Sequence, residues 1–406
     1  MPRVVSERVL VFLVGAVQFV NILDFVIVMP LGPDFARELL IPADRLGVIG
    51  GAYTAAAAVA GLVGSFFLDR FDRCKALGVA LVGLVGGTAL AAFSTGLVSL
   101  VAARAVAGMF GGPATSLSFS IIADLIPPER RGKAVGAVMG AFSLASILGV
   151  PAGLELSRLW GFRAPFLAVA ALGLVIVVGA VFLLPPLTGH LGAAQKKATL
   201  GALLQKPVVL LSWSTTAVVM ASGFLVIPNL STFVQGNLGL PRTQLSVLYL
   251  AGGVTSLVTV RVAGFLVDRH GSFRVGTLGV SLLFLVYWGC FFSDPLPLPV
   301  LPLFLGFFLA LGIRNVAYNT LASKVPAAPE RARFLSIQSA VQHLSSSAGA
   351  MGSTLLLTEL PGMRLEGMGQ VAGLSLALAA AIPFLLFLVE RRVRAGQGGA
   401  PAQAAA

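Results

Sequence analysis

The sequence predicts an all-α integral membrane protein, with 12 transmembrane helices arranged as two pseudo-symmetric six-helix bundles. Its composition, its long apolar runs and an internal repeat all point to this class. Of the 406 residues, 57% are hydrophobic and 11% are charged, and the mean hydropathy is +0.94. A soluble globule of this length needs more charged residues to cover its surface, so the expected solvent is the bilayer.

Twelve apolar runs are long enough to cross a membrane. A hydrocarbon core of about 30 Å is spanned by about 20 residues of helix. The first run contains Asp24 and lacks a small-residue cleavage pattern, so we interpret it as a retained helix rather than a signal peptide. The predicted spans lie near residues 9–30, 46–68, 76–95, 98–123, 134–154, 164–185, 208–229, 245–266, 275–293, 297–321, 334–356 and 369–389.

One sequence pattern returns about 199 residues further along the chain. Pro42 and Asp69 are 27 residues apart, as are Pro241 and Asp268, and an arginine follows each aspartate. Many secondary transporters are built from a doubled membrane unit, with the substrate site between two halves that rock about it. The repeat predicts an N-terminal bundle, a cytoplasmic linker, a C-terminal bundle and a disordered tail over residues 1–185, 186–207, 208–393 and 394–406.

Basic residues are distributed unevenly over the predicted loops. When the 28 lysines and arginines are assigned to alternating sides of the membrane, nineteen share the side of both termini, six lie opposite and three fall inside spans. Because cytoplasmic loops carry the excess of Lys and Arg, we expect a multi-pass protein of the inner (cytoplasmic) membrane with both termini in the cytoplasm. The net charge of +12 thus reflects orientation, and we expect no nucleic-acid partner.

The chain lacks the residue patterns of an enzyme or a metalloprotein. Cys74 and Cys290 fall at opposite ends of the predicted bundle, and the three histidines are scattered. A GxxxxGKS phosphate loop is missing, so uphill transport would have to draw on an ion gradient. We therefore predict no catalytic activity, no cofactor and no metal site. The expected partners are a small molecule, protons and membrane lipids, and a monomer is expected because one chain holds both halves.

Several motifs resemble those of a known transporter family. Residues 64–75, GSFFLDRFDRCK, resemble the loop signature of the major facilitator superfamily, roughly G-x-L-a-D-r-x-G-r-k, with Asp72 in place of its glycine. A second copy, GFLVDRHGSFR, occupies residues 264–274. Residues 104–108, RAVAG, look like the family's R-x-x-x-G motif. The stretch from Asp24 to Pro30 is similar to the lDxtivnvalP motif of the drug:proton antiporter branch.

This resemblance covers the whole chain and implies the major facilitator fold. It also implies gating roles for the two repeated loops. Asp69, with Arg70 and Arg73, would latch the second helix to the eleventh in the outward-open state, and Asp268 with Arg269 would form the matching latch.

Asp24 is the acid expected deepest inside a span. An ionised carboxylate there needs a wet cavity or a partner, and burial disfavours its charged form. Gln18, Asn21 and Asp24 fall within an arc of roughly 120° of a helix and predict one inward-facing polar stripe. We interpret the stripe as part of the substrate site and Asp24 as the proton site. The alternative is that Asp24 only ties the first helix to a neighbour.

Arg314 marks a second polar face, on the tenth helix. With Asn315, Tyr318 and Asn319 it covers an arc of about 140°. It could hold an anionic substrate, or pair with Asp24 when substrate is absent. The alternative is a structural cation bonded to backbone carbonyls.

The eleventh helix adds Ser339, Gln342 and His343, which cluster within about 120° and extend the predicted substrate site. A histidine titrates near neutrality, so His343 could relay protons or simply form a hydrogen bond in the packing. Arg104 matches a family position linked either to proton handling or to fixing the fourth helix, and the sequence leaves both roles open.

These features predict a proton-coupled secondary transporter that exports hydrophobic or amphipathic small molecules by alternating access. One alternative is a permease for a small anionic metabolite, such as a sugar acid or amino-acid derivative, with Arg314 as its clamp. A lysolipid or lipid transporter is a further alternative. A non-transporting membrane sensor would not need the polar faces on the first, tenth and eleventh helices.

Overall fold

The computed structural model of the chain describes residues 6–187, 200–293, 295–296, 298–327 and 330–398. These residues form helices and loops, with one short hairpin. The first half contains α1 (Glu7–Ile27), α2 (Gly32–Glu38), α3 (Leu46–Phe67), α4 (Arg73–Ala92), α5 (Leu97–Leu125), α6 (Pro128–Leu144), α7 (Val150–Trp160) and α8 (Arg163–Leu183).

The second half repeats this order of elements. It contains α9 (Leu200–Leu204), α10 (Pro207–Val226), α11 (Leu230–Gly236), α12 (Arg242–His270), α13 (Ser272–Tyr287), α14 (Val300–Ser323), α15 (Arg331–Ser353), the antiparallel strands β1 (Thr358–Leu360) and β2 (Arg364–Glu366), and α16 (Met368–Gly398).

Eleven helical segments among the described residues are long and apolar enough to cross a membrane. Two of them are compound, because α6 continues into α7 through a π-helical turn at Ala145–Gly149, and α10 continues into α11 through a 3-10 turn at Ile227–Asn229. The remaining predicted span, 334–356, is the eleventh in chain order and coincides largely with the 23-residue helix α15. Its many serines, with two glutamines and a histidine, make this helix less apolar than the other eleven.

The ends of two predicted segments differ from the structure. The predicted disordered tail from Arg394 is wrong over residues 394–398, because α16 continues to Gly398. Its remainder, 399–406, lies outside the described residues. The predicted linker 186–207 includes the short helix α9, and its segment 188–199 also lies outside the described residues.

Helices within the first half approach each other through small residues. A Cβ atom on Gly108 of α5 would lie 2.1 Å from the carbonyl oxygen of Tyr53 on α3. A Cβ on Gly87 of α4 would lie 2.5 Å from the backbone nitrogen of Ala107 on α5. Lipid supplies no hydrophobic drive between helices, so close backbone packing of this kind has to hold them together.

The two halves touch at the end of the bundle that lies opposite the chain termini, called here the remote end. At Gly47, near the start of α3, a Cβ would lie 2.0 Å from the carbonyl oxygen of Ala350 on α15. At Gly253 of α12, a Cβ would lie 2.8 Å from the carbonyl oxygen of Ser146 in the π-helical turn. Pro151 follows that turn and cannot donate a backbone hydrogen bond into it, which favours the wider turn.

Towards the termini, the same helix faces separate. Gly61 lies on the face of α3 that carries Gly47, and a Cβ there would meet no atom within 4 Å. On α15, Ser336 lies on the same face as the buried Ser347 but is exposed. The bundle is therefore closed at the remote end and open between its halves at the end that carries the termini.

Adjacent glycines on α4 provide a test of this packing. We expect Gly87→Ala to lower the apparent melting temperature of the purified protein, because its Cβ would overlap the α5 backbone, at a cost of about 1–3 kcal/mol. Gly86→Ala is the matched control, since a Cβ there meets no atom within 4 Å and the temperature should not fall. Equal shifts in the two variants would contradict the α4–α5 packing.

Candidate functional site

A buried ion pair lies at the centre of the first half. Asp24 on α1 and Arg104 on α5 are both 0% exposed. Arg104 donates from Nη1 to Oδ1 of Asp24 at 2.8 Å and from Nη2 to Oδ2 at 2.9 Å. Nη2 also donates to the backbone carbonyl of Asp24 at 3.0 Å. Bidentate geometry of this kind gives the strongest hydrogen bonds between an arginine and a carboxylate.

Two neighbouring helices complete the surroundings of the pair. Thr88 on α4 donates its hydroxyl to Oδ1 of Asp24 at 2.8 Å. The ring of Tyr53 on α3 lies 4.8 Å from the guanidinium carbon of Arg104, a cation–π distance. The Tyr53 hydroxyl donates to Oδ1 of Asn21 at 2.8 Å, which links a second member of the α1 polar stripe to the network. Four helices therefore contribute to the surroundings of one ion pair.

The predicted α1 stripe is present, but it faces protein rather than water. Gln18, Asn21 and Asp24 are all buried. Asn21 donates to the carbonyl of Gly111 at 3.1 Å and to the hydroxyl of Thr115 at 2.7 Å, both on α5. In this conformation the Asp24 carboxylate has a partner rather than a wet cavity, because Arg104 compensates the charge that water would otherwise solvate. Arg104 and Asp24 act as partners, a pairing that the sequence analysis did not foresee.

Arg314 lies in the second half and is 2% exposed. Its Nη1 donates to the hydroxyl of Ser222 on α10 at 3.0 Å, and its Nη2 lies 3.4 Å from Oδ1 of Asn315. Nε makes no hydrogen bond. The alternative in which Arg314 pairs with Asp24 is not observed in this conformation, because Asp24 is taken by Arg104. Among the described residues, no carboxylate forms an ion pair with Arg314.

The other predicted substrate residues lie around Arg314 at different depths. On α14, Tyr318 is buried, Asn315 is half-buried and Asn319 is exposed. Asn319 donates to the backbone carbonyl of Asn315 at 3.0 Å. Exposed amides inside a span are satisfied by water rather than by lipid, so this edge of α14 faces the opening between the halves.

The α15 residues form a separate group. Ser339 is exposed, whereas Gln342 and His343 are half-buried. Ser346 donates to the carbonyl of Gln342 at 2.8 Å. Within the described part of the chain, no hydrogen bond joins this group to Asp24 or to Arg314.

An aromatic contact lies between the two buried charges. Phe25, next to Asp24, and Phe224, two residues after Ser222, stack with ring centroids 6.0 Å apart. Phe25 also contacts the ring of Tyr53, at 5.2 Å. Because α1 and α10 belong to different halves, these rings separate the Asp24 network from Arg314 and form part of the contact between halves.

The predicted gating residues lie at the open end. Arg73 donates to Oδ2 of Asp124 at 2.5 Å, a partner on α5 that the sequence analysis missed. Arg70, Asp268 and Arg269 are exposed. The side chain of Asp69 lies outside the described part of the chain. A latch between α3 and α15 was expected only for the outward-open state, so its role stays a prediction.

The latch that the structure does contain is at the remote end, and the sequence analysis missed it. Arg242 at the start of α12 donates from Nε to Oδ1 of Asp34 on α2 at 3.0 Å, and from Nη2 to Oδ2 at 2.7 Å. Asp34 also accepts from Arg37 at 2.7 Å and from Ser157 at 2.8 Å. This salt bridge joins residues 208 apart in sequence, one from each half.

Further hydrogen bonds between described residues cross between the halves near this latch. Ser246 on α12 donates to Glu155 on α7 at 2.5 Å, and the backbone nitrogen of Ala43 donates to Glu359 in β1 at 2.7 Å. Glu155 also pairs with Arg158 at 2.7 Å. Two residues in the sequence could have indicated this latch. Asp34 lies in the loop between the first and second spans, and Arg242 follows Pro241 in the corresponding loop of the second half.

Two helical halves closed at one end, with buried charges next to their interface, are the architecture of a membrane transporter. The chain belongs to the Major Facilitator Superfamily, whose family model matches residues 14–350. This confirms the family, the all-α membrane fold and the expectation of a transporter rather than an enzyme.

The chain is also similar to an efflux pump and to a drug-resistance protein. It is 26% identical over 311 residues to the purine ribonucleoside efflux pump NepI of Shigella boydii serotype 4 (strain Sb227), covering 75% of this chain and 76% of the relative. It is 28% identical over 260 residues to a chloramphenicol resistance protein of Streptomyces lividans, covering 62% of this chain and 65% of that protein. A bacterial homologue of the human lysosomal transporter Spinster, in an inward-facing occupied conformation, has the same fold. Its TM-score is 0.77 at 15% identity, over 97% of this chain and 98% of that chain.

Removing the remote-end latch should open that end. We expect Arg242→Gln to lengthen the distance between spin labels at Thr95 and Leu298, which lie in remote-end loops of opposite halves, because Asp34 loses its partner across the interface. Double electron–electron resonance spectroscopy on the spin-labelled protein in proteoliposomes measures this distance.

Arg158→Gln is the control for the latch variant, since the pair of Arg158 with Glu155 stays within one half. The distance distribution should then match that of the parent protein. An unchanged distribution in Arg242→Gln would mean that packing alone closes the remote end.

Proposed function

We propose that this protein is a proton-coupled exporter of small hydrophobic or amphipathic molecules. The observation that supports it most directly is the pair formed by Asp24 and Arg104, because a buried carboxylate whose charge is compensated by one movable cation can exchange a proton when the two separate. The names of the efflux relatives agree with the export direction. The distribution of basic residues supports cytoplasmic termini, and the bundle would then be open to the cytoplasm.

The proposed cycle begins with the Asp24–Arg104 pair intact and the site open at the termini end. Substrate enters between the halves and contacts α14 and α15, where Asn319 and Ser339 are exposed. Opening of the remote end would require the Asp34–Arg242 salt bridge to break and the α1–α10 contact at Phe25 to shift. Because Phe25 follows Asp24 directly, that shift would strain the pair and admit water to the carboxylate.

Protonation then completes the exchange. A protonated Asp24 is neutral and no longer compensates the charge of Arg104. Asp24 can therefore hold a proton or form the ion pair, but not both at once. Arg104 would turn towards the cavity or towards the ring of Tyr53 until the proton leaves on the cytoplasmic side. Each turn would thus move a proton inwards as substrate moves outwards, and the pH gradient would drive export.

Asp24→Asn provides the direct test of coupling. The amide cannot exchange a proton, so we expect transport driven by an imposed pH gradient in proteoliposomes to be lost, while counterflow of the same substrate without a gradient persists. The substrates are a purine ribonucleoside, chloramphenicol and a lipophilic fluorescent amine. Glu7→Gln, at an exposed pair with Arg130, is the control and should keep coupling. Gradient-driven transport by Asp24→Asn would exclude Asp24 as the proton site.

The ion pair also makes a prediction about stability. Arg104→Gln leaves a buried carboxylate unpaired and should lower the free energy of unfolding by about 3–5 kcal/mol. The double variant Asp24→Asn/Arg104→Gln removes both charges and should recover most of that loss, yet remain uncoupled. Thermal denaturation and gradient-driven transport measured on the same preparations give both quantities. A double variant that transports against a gradient would assign the pair a structural role only.

A further inference from the structure

The two halves of this protein compensate their buried arginines differently. In the first half, Arg104 has a bidentate carboxylate partner, Asp24. About 199 residues along the chain, the position equivalent to Asp24 falls near Ser222, and Arg314 donates to that serine at 3.0 Å. The second half thus has a buried arginine on α14, the helix that corresponds to α5, and this arginine bonds to a hydroxyl where the first half has an acid.

Arg314 is left with unused hydrogen-bonding capacity and uncompensated charge. A guanidinium group has five N–H donors, and the described partners of Arg314 are one hydroxyl and one side-chain amide. Its Nε has no partner although it is shielded from solvent. A cation removed from water requires an opposite charge or strong acceptors, so the protein without ligand leaves this requirement unmet.

Polar residues of α14 connect Arg314 to the exposed side of that helix. Nη2 of Arg314 lies against Asn315, which is half-buried, and Asn319 one turn further along α14 is exposed. On the α10 side, the neighbour of Ser222 is Gly223, where a Cβ would come within 3.2 Å of Nη2. The absence of a side chain at Gly223 therefore lets the α10 backbone approach the guanidinium closely.

From these contacts we propose that Arg314, with Ser222 and Asn315, binds the carboxylate of an organic acid in the second half. The group is a carboxylate because one guanidinium compensates one negative charge and because its planar fork matches two coplanar oxygens. This inference rests on the proposed transport function and specifies one substrate class for it. The carboxylate of the ligand would pair with Arg314 in the second half, as Asp24 pairs with Arg104 in the first.

A panel of matched acids and amides tests this site. We would measure the protection of the purified full-length protein from thermal unfolding by benzoate, 2-naphthoate and decanoate, each against its primary amide, at one pH and without a gradient. Ligand that binds the folded state raises apparent stability by mass action. For at least one pair, the acid should bind at least about tenfold more tightly than the amide, as one charge-assisted hydrogen bond allows.

Two variants assign that preference to Arg314. Arg314→Gln should remove the preference for the acid and leave binding of the amide within about threefold. Ser222→Asp supplies an internal carboxylate to Arg314, so it should remove the preference without lowering the melting temperature of the ligand-free protein. This second variant decides the question if Arg314→Gln does not fold. Arg261→Gln, at an exposed position of α12, is the control and should retain the preference.

The proposal is overturned if no acid in the panel is preferred over its amide, or if Ser222→Asp keeps the preference. It is also overturned if chloride, sulfate or phosphate protects the protein as well as the acids do. Asp24→Asn separates this site from the proposed coupling. Suppose that Asp24→Asn keeps the preference for the acid over the amide, and that the parent protein shows no gradient-driven transport. The proposed proton coupling is then wrong, whereas the carboxylate site at Arg314 is supported.

Discussion

Compensation of charge inside the membrane is the constraint on which this structure depends. The hydrocarbon region offers no water to solvate an ion, so each charged group within a span must find its partner in the protein, in a cavity or in a ligand. The bidentate pair of Asp24 and Arg104 satisfies this constraint wholly within the first half. Arg314 in the second half satisfies it only in part, with a hydroxyl and an amide. The difference between the halves gives them different chemical tasks on a common helical framework.

The contacts between the halves connect these charges to a conformational change. At the remote end, Gly47 and Gly253 allow backbones of opposite halves to touch, and the salt bridge of Asp34 with Arg242 fastens them. Phe25 of the first half also stacks on Phe224 of the second half. Phe25 follows Asp24 directly in the chain. In the proposed cycle, movement of one half against the other would reach the carboxylate through a single peptide unit.

Much of the fold follows from local pattern, and much of the site does not. Apolar runs predicted the central part of each span, including that of the serine-rich α15, whereas helices such as α16 continue well past the predicted ends. Gln18, Asn21 and Asp24 lie together on a buried side of α1, because helical periodicity determines which residues share a side. Periodicity says nothing about the neighbour that packs there. The partner of Asp24 proved to be Arg104, about 80 residues away, and the latch at Asp34 was missed because its other member lies in the opposite half.

The sequence by itself determined that this chain is a membrane protein, that it contains an internal repeat, and that Asp24 and Arg314 lie inside spans. These properties follow from composition, residue spacing and helical period, which are local. Only the tertiary structure decided that Asp24 is paired, that Arg314 has no carboxylate partner among the described residues, and that the bundle is closed at its remote end. Those outcomes depend on which helices pack together, and in lipid that choice is made by small-residue contacts and hydrogen bonds between segments far apart in the chain.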